Sequence, residues 1–493
     1  MPLIADPYSS PQRPVLQGVG GAVAAAHPLA VAAGQELLLA GGSAVDAAIA
    51  AQAVLCVVAP DACGLGGDMF ALVHQLGDAE PMAINASGAA PLDMERATDD
   101  GANSITTPGI VDGWACLSER WGRRPLSRCL QPAIRLARTG FPISQRLAIN
   151  VQTQRARLDA GGAGCWDLLA LEAGAQWRQE ALAQTLEAIS DDGAMAFYGG
   201  AIGAAIVRAV SALGGALTLE DMAAHRTPIS RPIMASWGSV RLAVQPPVTQ
   251  GILLALVLTA LDRLGPLPDN RLDHALVELT EAAFAYRDRS AEGEALLALD
   301  LPIDLERPLG RGGPRAYLHT AGVAVSDASG QTVTSLVSVF DDFGSGVFVP
   351  ECGMVLNNRA GGFTDGGNAP APGKRPVHTL APAMLFLDDA VLGLATPGAD
   401  GQVQTLAQVI AALTQGGMDL ASAVSQARWR SEGGDLLIER GHPATQALTA
   451  LCHRLRPLEA GDTRFGAVVC AGQIAGAPIA LSDWRRYTWS GVV

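Results

Sequence analysis

A threonine that closely follows a glycine-rich loop is the first residue in this sequence that could act as a nucleophile. The loop is Arg311–Arg315, and the threonine is Thr320, after which Val323 and Val325 alternate with small residues. If the backbone were cut before Thr320, this residue would carry a hydroxyl to attack and an α-amine, with a pKa of about 7.7, to act as base. Thr320 is therefore a candidate catalytic residue, although threonines that only open strands are common.

The residues around this threonine predict the elements that would hold it. The alternation after Thr320, the turn residues Asp327–Gly330 and the Val- and Thr-rich run to Phe340 predict a β-hairpin. Ser43 predicts the N-cap of a helix over 44–58. The same patterns predict a strand at 69–74, helices within 120–225 and at 251–264, 273–290 and 402–415, and strands at 347–357 and 383–394. Strands set between helical segments favour an α/β architecture.

Composition excludes several classes of partner. The net charge of −14 argues against non-specific binding to nucleic acid or to anionic membranes, which needs a basic surface. The longest strongly apolar runs, Ala47–Pro60 and Val248–Leu261, are shorter than the roughly 20 residues of a membrane-spanning helix. The eight cysteines are scattered singly, without the spacing of a zinc site, and the N-terminal residues lack the pattern of a signal peptide. We therefore expect a soluble, cytoplasmic protein with reduced cysteines and no bound metal.

Ten segments in order along the chain resemble the γ-glutamyltransferase family. Members of this family are N-terminal-nucleophile hydrolases that cleave themselves just before a threonine. The matching segments are Gly41–Ala48, Gly64–Asp68, Thr107–Trp114, Pro246–Gly251, Tyr286–Ser290, His319–Gly330, Ser338–Gly346, Gly353–Asn358, Gly373–Pro382 and Thr396–Gln402. No single segment is decisive, but together they cover nearly the whole chain.

The resemblance implies a fold, a cleavage point and a set of catalytic residues. It implies a four-layer αββα sandwich in which a large subunit, 1–319, and a small subunit, 320–493, interleave as one folded unit. Self-cleavage would fall between His319 and Thr320 and give a heterodimer of the two fragments, with a further homodimer left open. Ser338 would hydrogen-bond the nucleophile, and the backbone N–H groups of Gly398 and Ala399 would form the oxyanion hole. No cofactor is implied.

The residues that would bind the substrate depart from the family pattern. The family uses an arginine, an asparagine, a glutamine, an aspartate and a pair of serines around the α-amino acid group of its substrate. The matching positions here are Ser87, Phe340, Arg359, Gly362 and the pair His378–Thr379, while Asn358 is kept. A guanidinium repels an ammonium group but binds a carboxylate well, often through two parallel hydrogen bonds. Arg359 could still be a structural arginine, and His378 a buried core histidine.

We therefore expect a self-processing amidohydrolase that cleaves a small amide bearing a carboxylate and no nearby α-amine. The divergent branches of the family, oxamate amidohydrolases and cephalosporin or glutaryl acylases, have this character. Two alternatives remain at this stage. One is a true γ-glutamyl hydrolase or transferase with a rearranged binding site, and the other is an uncleaved, non-catalytic relative.

Overall fold

The computed structural model of the chain describes residues 12–311, 313 and 320–493. The predicted cleavage residue His319 lies outside this range. The helices are α1 (Pro28–Leu39), α2 (Ala44–Val58), α3 (Ile110–Trp121), α4 (Leu126–Thr139), α5 (Gln145–Ala160), α6 (Glu180–Asp192), α7 (Ala194–Tyr198), α8 (Ala201–Ala212), α9 (Leu219–Ala224), α10 (Gly251–Arg263), α11 (Asp269–Phe284), α12 (Gly401–Thr414), α13 (Leu420–Ser425) and α14 (Thr445–Ala450).

Strands occur along the whole length of the chain. They are β1 (Leu16–Gln17), β2 (Gly21–Ala25), β3 (Asp68–His74), β4 (Met82–Ala86), β5 (Phe141–Pro142), β6 (Gln176–Trp177), β7 (Ile229–Ser230), β8 (Ile233–Trp237), β9 (Val240–Val244), β10 (Ala321–Asp327), β11 (Thr332–Ser338), β12 (Phe348–Val349), β13 (Met354–Val355), β14 (Ala383–Leu387), β15 (Ala390–Ala395), β16 (Trp429–Glu432), β17 (Asp435–Glu439), β18 (Leu455–Leu458), β19 (Val469–Ile474), β20 (Ala477–Ser482) and β21 (Trp489–Val492).

Two seven-stranded antiparallel sheets organise the molecule. One has the order β1-β20-β19-β15-β14-β9-β8 and the other β21-β2-β10-β11-β3-β4-β7. In the second sheet β10 and β11, which follow Thr320 in sequence, lie between β2 and β3, which precede it. Strands from the two sides of the predicted cleavage point therefore alternate in one sheet, and neither part could form this sheet alone. The mixed α/β class predicted from sequence is confirmed.

The apolar core falls into three main clusters. The largest packs α1 to α8 against β10 and β11, through residues such as Val323 and Val337. A second packs α10 to α14 against β8, β9, β14, β15, β19 and β20. A third, smaller cluster contains side chains from both sheets, among them Phe70 and Leu336 from one and Ala395 and Val469 from the other. Each sheet thus buries apolar side chains on both of its faces.

Local sequence signals explain the elements nearest to Thr320. Helix α2 begins where predicted, because Ser43 accepts a hydrogen bond from the Asp46 amide while the Asp46 carboxylate accepts one from the Ser43 amide. The β10–β11 hairpin also forms as predicted. The strand predicted at 347–357 is wrong in length, since only β12 and β13 form, on either side of a turn at Gly353, where φ is +65°.

Among residues 12–311, 313 and 320–493, one apolar stretch meets the length and composition of a membrane span. It is Ala194–Ala212, which the sequence analysis did not single out. Such a single stretch is weak evidence, and here it is divided into the two helices α7 and α8, which contribute side chains to the largest core cluster.

Candidate active site

Thr320 and Ser338 face each other at the end of the β10–β11 hairpin. Ala321 pairs with Val337, so Thr320 stands opposite Ser338, and the Thr320 hydroxyl lies 3.5 Å from the Ser338 hydroxyl. Thr320 is almost fully buried, with 5% of its surface exposed. On the other side of β11, Ser338 pairs with Asp68 of β3. Because directly opposed side chains leave a sheet on the same face, Thr320, Ser338 and Asp68 form a row across three strands.

The backbone turns sharply just after Ser338. Phe340 has a φ of +85°, a conformation that is unfavourable for a bulky side chain. The Phe340 amide donates a hydrogen bond of 2.9 Å to the Ser338 hydroxyl, which helps to fix this turn. The ring of Phe340 consequently lies over the guanidinium of Arg359, at 4.3 Å from the ring centre. Phe340 thus contacts both Ser338, which faces Thr320, and the predicted substrate-binding residue Arg359.

Asp68 is the charged centre of the site. Its carboxylate is fully buried and accepts three hydrogen bonds, from Arg359 Nε at 3.1 Å, His378 Nε2 at 3.1 Å and the Gly88 amide at 3.2 Å. Burial on its own would raise the pKa of Asp68, but the hydrogen bond from His378 and the charge of Arg359 hold it below its usual value. Asp68 is therefore an anion that orients two of the predicted substrate-binding side chains.

His378 is a neutral hydrogen-bond donor in this site. Its Nδ1 accepts from the Leu380 amide at 3.3 Å, which assigns the proton to Nε2, the atom that faces Asp68. Burial and then the charge of Arg359 lower the pKa of His378 from 6.5 to about 3. Its ring also packs against Phe70, with ring centres 4.5 Å apart. His378 is thus a buried core side chain bound to Asp68, and its contact with substrate stays a prediction.

Arg359 is fully buried and only partly paired. Its Nε donates a hydrogen bond to Asp68, whereas neither Nη1 nor Nη2 has a hydrogen-bond partner among the residues that the structure describes. Burial lowers the pKa of Arg359 to about 10, against the opposing effect of Asp68, so the side chain remains a cation at neutral pH. A buried guanidinium with two adjacent donors available is well suited to a carboxylate, which accepts two parallel hydrogen bonds.

The predicted oxyanion residues lie in a loop between β15 and α12. Gly398 has a φ of +129° and Ala399 a φ of +47°. Neither N–H donates a backbone hydrogen bond within residues 12–311, 313 and 320–493. Gln250 Nε2 donates to the carbonyl oxygens of both Ala399 and Thr379, at 2.9 and 3.1 Å. This bridge ties the oxyanion loop to the segment that carries His378.

Two predicted substrate contacts are occupied by the protein itself. The Asn358 amide donates to the Asp341 carboxylate and to the Asp99 carbonyl, and its oxygen accepts from the Asp341 amide. The Ser87 hydroxyl donates to the Asn85 side chain at 2.5 Å. Asn358 and Ser87 therefore brace loops beside the site, and their contact with substrate stays a prediction.

Sequence reasoning missed three charged residues around the site. Asp68 was seen only as the end of a glycine turn. Arg287 lies 3.6 Å from Asp400, the residue after Ala399, and its charge lowers the pKa of both Arg359 and His378. Arg375 donates from Nε to the Ser87 carbonyl at 2.9 Å. The only signal in the sequence was the presence of charges inside segments that resemble the family.

A small cavity of about 80 Å³ opens on another side of Thr320. Its wall includes Asp61, Arg146 and Arg486, together with Pro397 beside the oxyanion loop. Burial raises the pKa of Asp61, and Asn150 donates a hydrogen bond of 2.6 Å to its carboxylate. Burial and then the charges of Arg146 and Arg430 lower the pKa of Arg486 to about 9. The cavity is large enough for water and adjoins the nucleophile, although most of its lining is apolar.

Comparisons with known proteins identify the family of this chain. The family model of gamma-glutamyltranspeptidase matches residues 30–299 and 313–492. An oxamate amidohydrolase proenzyme of Klebsiella pneumoniae is 34% identical over 83% of this chain and 84% of its own length. An acylase ACY 1 proenzyme of a Pseudomonas species is 31% identical over 100% of this chain and 97% of its own length. The crystal structure of a cephalosporin acylase from Bacillus halodurans superposes with a TM-score of 0.88, at 26% identity, and covers 99% of both chains. The chain therefore belongs to the gamma-glutamyltranspeptidase family.

Proposed function

We propose that this chain is a self-processing N-terminal-threonine amidohydrolase that cleaves a small amide bearing a carboxylate. As a member of the family it is an amide hydrolase. The observation that carries the substrate class is the buried Arg359, whose Nη1 and Nη2 have no hydrogen-bond partner among the described residues and whose Nε binds Asp68, the strand partner of Ser338. The names of the oxamate amidohydrolase and acylase relatives support the same class of reaction.

Self-processing would begin with the hydroxyl of Thr320. Its oxygen attacks the carbonyl carbon of His319, the bond from this carbon to the Thr320 nitrogen breaks, and the hydroxyl proton passes to that nitrogen. This step frees the α-amine, and water then hydrolyses the resulting ester, which gives the His319 carboxylic acid and restores the Thr320 hydroxyl. The fragments 1–319 and 320–493 would stay together as a heterodimer because their strands alternate in one sheet. The three core clusters support the layer order of the αββα sandwich.

Turnover would use the same groups on a substrate amide. The α-amine takes the hydroxyl proton as Thr320 attacks, and it then gives this proton to the leaving amine. The N–H groups of Gly398 and Ala399 stabilise the negative oxygen of the intermediate, and one such donor is typically worth about 3 kcal/mol. Ser338 holds the nucleophile in place. Water, with the α-amine again as base, attacks the acyl ester and releases the acid.

The site favours a compact substrate. Thr320 and Asp68 stand two strands apart, which separates their backbones by about 10 Å. Arg359 contacts Asp68, so the amide carbon and the carboxylate of a substrate held between Thr320 and Arg359 must be only a few bonds apart. His378 and Thr379 would close this pocket beside Arg359. A γ-glutamyl group would place its ammonium near Arg359 and Arg287, where two positive charges repel it.

A matched pair of substrates tests the proposal. Oxamate and oxamide have nearly the same size, but only oxamate carries a carboxylate. We expect kcat/KM to be at least about tenfold higher for oxamate, the equivalent of one charge-assisted hydrogen bond, and activity on γ-glutamyl-p-nitroanilide to be lower than both. Preference for the γ-glutamyl substrate would contradict the proposal and favour a γ-glutamyl hydrolase or transferase.

We also propose a cytoplasmic location. All eight cysteines are free thiols in the fold, five of them buried, as is usual in a reducing compartment.

A further inference from the structure

The linker that leads to Thr320 is held by two carboxylates of one helix. Glu278 and Glu281 stand one turn apart on the same face of α11. The Glu278 carboxylate is fully buried and accepts hydrogen bonds from the Leu309 amide at 3.0 Å and from Arg311 Nη1 at 3.2 Å. Burial of a carboxylate is unfavourable unless it is paired, so these contacts fix the linker firmly on α11.

Glu281 joins the same linker to strand β16. One of its oxygens accepts from the Arg311 amide at 3.3 Å, and the other accepts from the hydroxyl of Ser431. Gly313 passes so close to β16 that an added Cβ atom would lie 2.4 Å from the Ser431 carbonyl carbon. The Gly433 amide also donates to the Gly313 carbonyl at 3.4 Å. Only glycine fits at 313 in this path.

We propose that Glu278, Glu281 and Gly313 form a linker clamp that positions the chain for self-processing at Thr320. The inference rests on the proposed function, because it concerns how the precursor reaches its cleavage geometry. Only the six residues 314–319 separate the clamp from Thr320. The three residues are positioning residues, and none of them contacts the nucleophile pair.

The effect of the clamp follows from the number of residues between it and Thr320. Attack by Thr320 needs its oxygen within about 3–3.5 Å of the carbonyl carbon before it. Without the clamp, the nearest upstream contact with the body of the protein is at Leu305 and Glu306, where Arg271 of α11 donates to the Leu305 carbonyl and the Glu306 carboxylate. The number of residues between the last such contact and Thr320 would then rise from six to thirteen, which lowers the closed fraction about threefold. After cleavage the constraint has no further role, so turnover should not depend on it.

Timed cleavage of newly made chain tests the clamp. Translation in vitro, stopped with an inhibitor, yields uncut protein whose conversion into fragments is followed by denaturing electrophoresis. We expect the processing rate to fall about threefold or more in the double variant Glu278→Gln/Glu281→Gln and in Gly313→Ala. The matched control is Glu292→Gln, an exposed carboxylate paired with Arg289, which should process like wild type. The kcat/KM of each processed variant, per processed molecule, should equal that of wild type.

Equal processing rates in wild type and in both clamp variants would overturn the inference. A parallel fall in processing, in kcat/KM and in melting temperature would also overturn it, since this is the result of a purely structural role. If the double variant does not fold, the processing rate of Gly313→Ala alone decides whether the clamp acts as proposed. A wild-type chain that never processes would instead refute the proposed function, and the inference with it.

Discussion

Replacement of Arg359 by lysine tests how the protein recognises its substrate. Arginine presents Nε to Asp68 and leaves Nη1 and Nη2 for a ligand. Lysine keeps the positive charge, but its single nitrogen has to serve Asp68 and cannot offer two parallel donors. Hydrogen bonds to charged groups are worth about 1.5–3 kcal/mol. We therefore expect kcat/KM for oxamate to fall between about 10-fold and about 150-fold, while kcat/KM for oxamide stays nearly constant.

The design of this assay separates recognition from folding. Removal of a buried partner can destabilise a protein by about 3–5 kcal/mol, so the melting temperature and the extent of self-processing are measured alongside the kinetics. Arg375→Lys is a matched control, because Arg375 also lies near Asp68 but donates to the carbonyls of Ser87 and Arg226. This control should not change the ratio of the two kcat/KM values.

Two outcomes would refute the role of Arg359 in recognition. If Arg359→Lys lowers activity on oxamate and oxamide by the same factor, Arg359 only supports the fold. If activity on oxamate is unchanged, the carboxylate binds elsewhere.

Three further predictions concern the residues around Thr320. Ser338→Ala should slow self-processing and turnover about two- to tenfold, the value of one neutral hydrogen bond, whereas Ser338→Thr should retain both, as single-turnover kinetics would show. Ala399→Gly should change kcat less than about threefold, because the oxyanion donor is a backbone group and glycine tolerates the positive φ. A large loss of kcat in steady-state assays would argue against the assignment of Ala399 to the oxyanion hole. Stability should fall as pH drops from about 6.5 towards 3, because the folded-state pKa of His378 is lowered from 6.5 to about 3 and unfolding then takes up a proton. His378→Gln should reduce this dependence of stability on pH, which the midpoints of urea unfolding at about pH 7 and about pH 5 would measure. Asp68 stays charged between these two pH values, because its folded-state pKa is lowered.

Local signals allowed several elements to be predicted from sequence. The capping box at Ser43 and Asp46 involves residues three apart, and the hairpin turn after β10 is built by Asp327, whose side chain accepts from the Ser329 and Gln331 amides. Such signals lie within one stretch of chain, so composition and spacing reveal them. The wrong strand at 347–357 is a different case, because Pro350 and Gly353 are turn residues in the sequence whose meaning was missed.

The arrangement of the site depended on contacts between distant residues. Asp68 meets Arg359 across 291 residues and His378 across 310. The sequence suggested that Arg359 was either a structural residue or a carboxylate ligand, and no local pattern separates these. In the fold its Nε is structural, while Nη1 and Nη2 have no hydrogen-bond partner among the described residues, so the carboxylate-ligand interpretation stays a prediction. The positive φ of Phe340 also depends on its surroundings, because nothing in phenylalanine itself favours it.

The most direct test is the self-cleavage of the chain itself. Wild type and Thr320→Ala, purified side by side, would be compared by denaturing electrophoresis and N-terminal sequencing. We expect two fragments from wild type, the smaller beginning at Thr320, and a single intact chain of 50.7 kDa from the variant. A wild-type chain that remains whole after prolonged incubation would contradict the assignment of Thr320 as a self-generated nucleophile and would favour a non-catalytic relative.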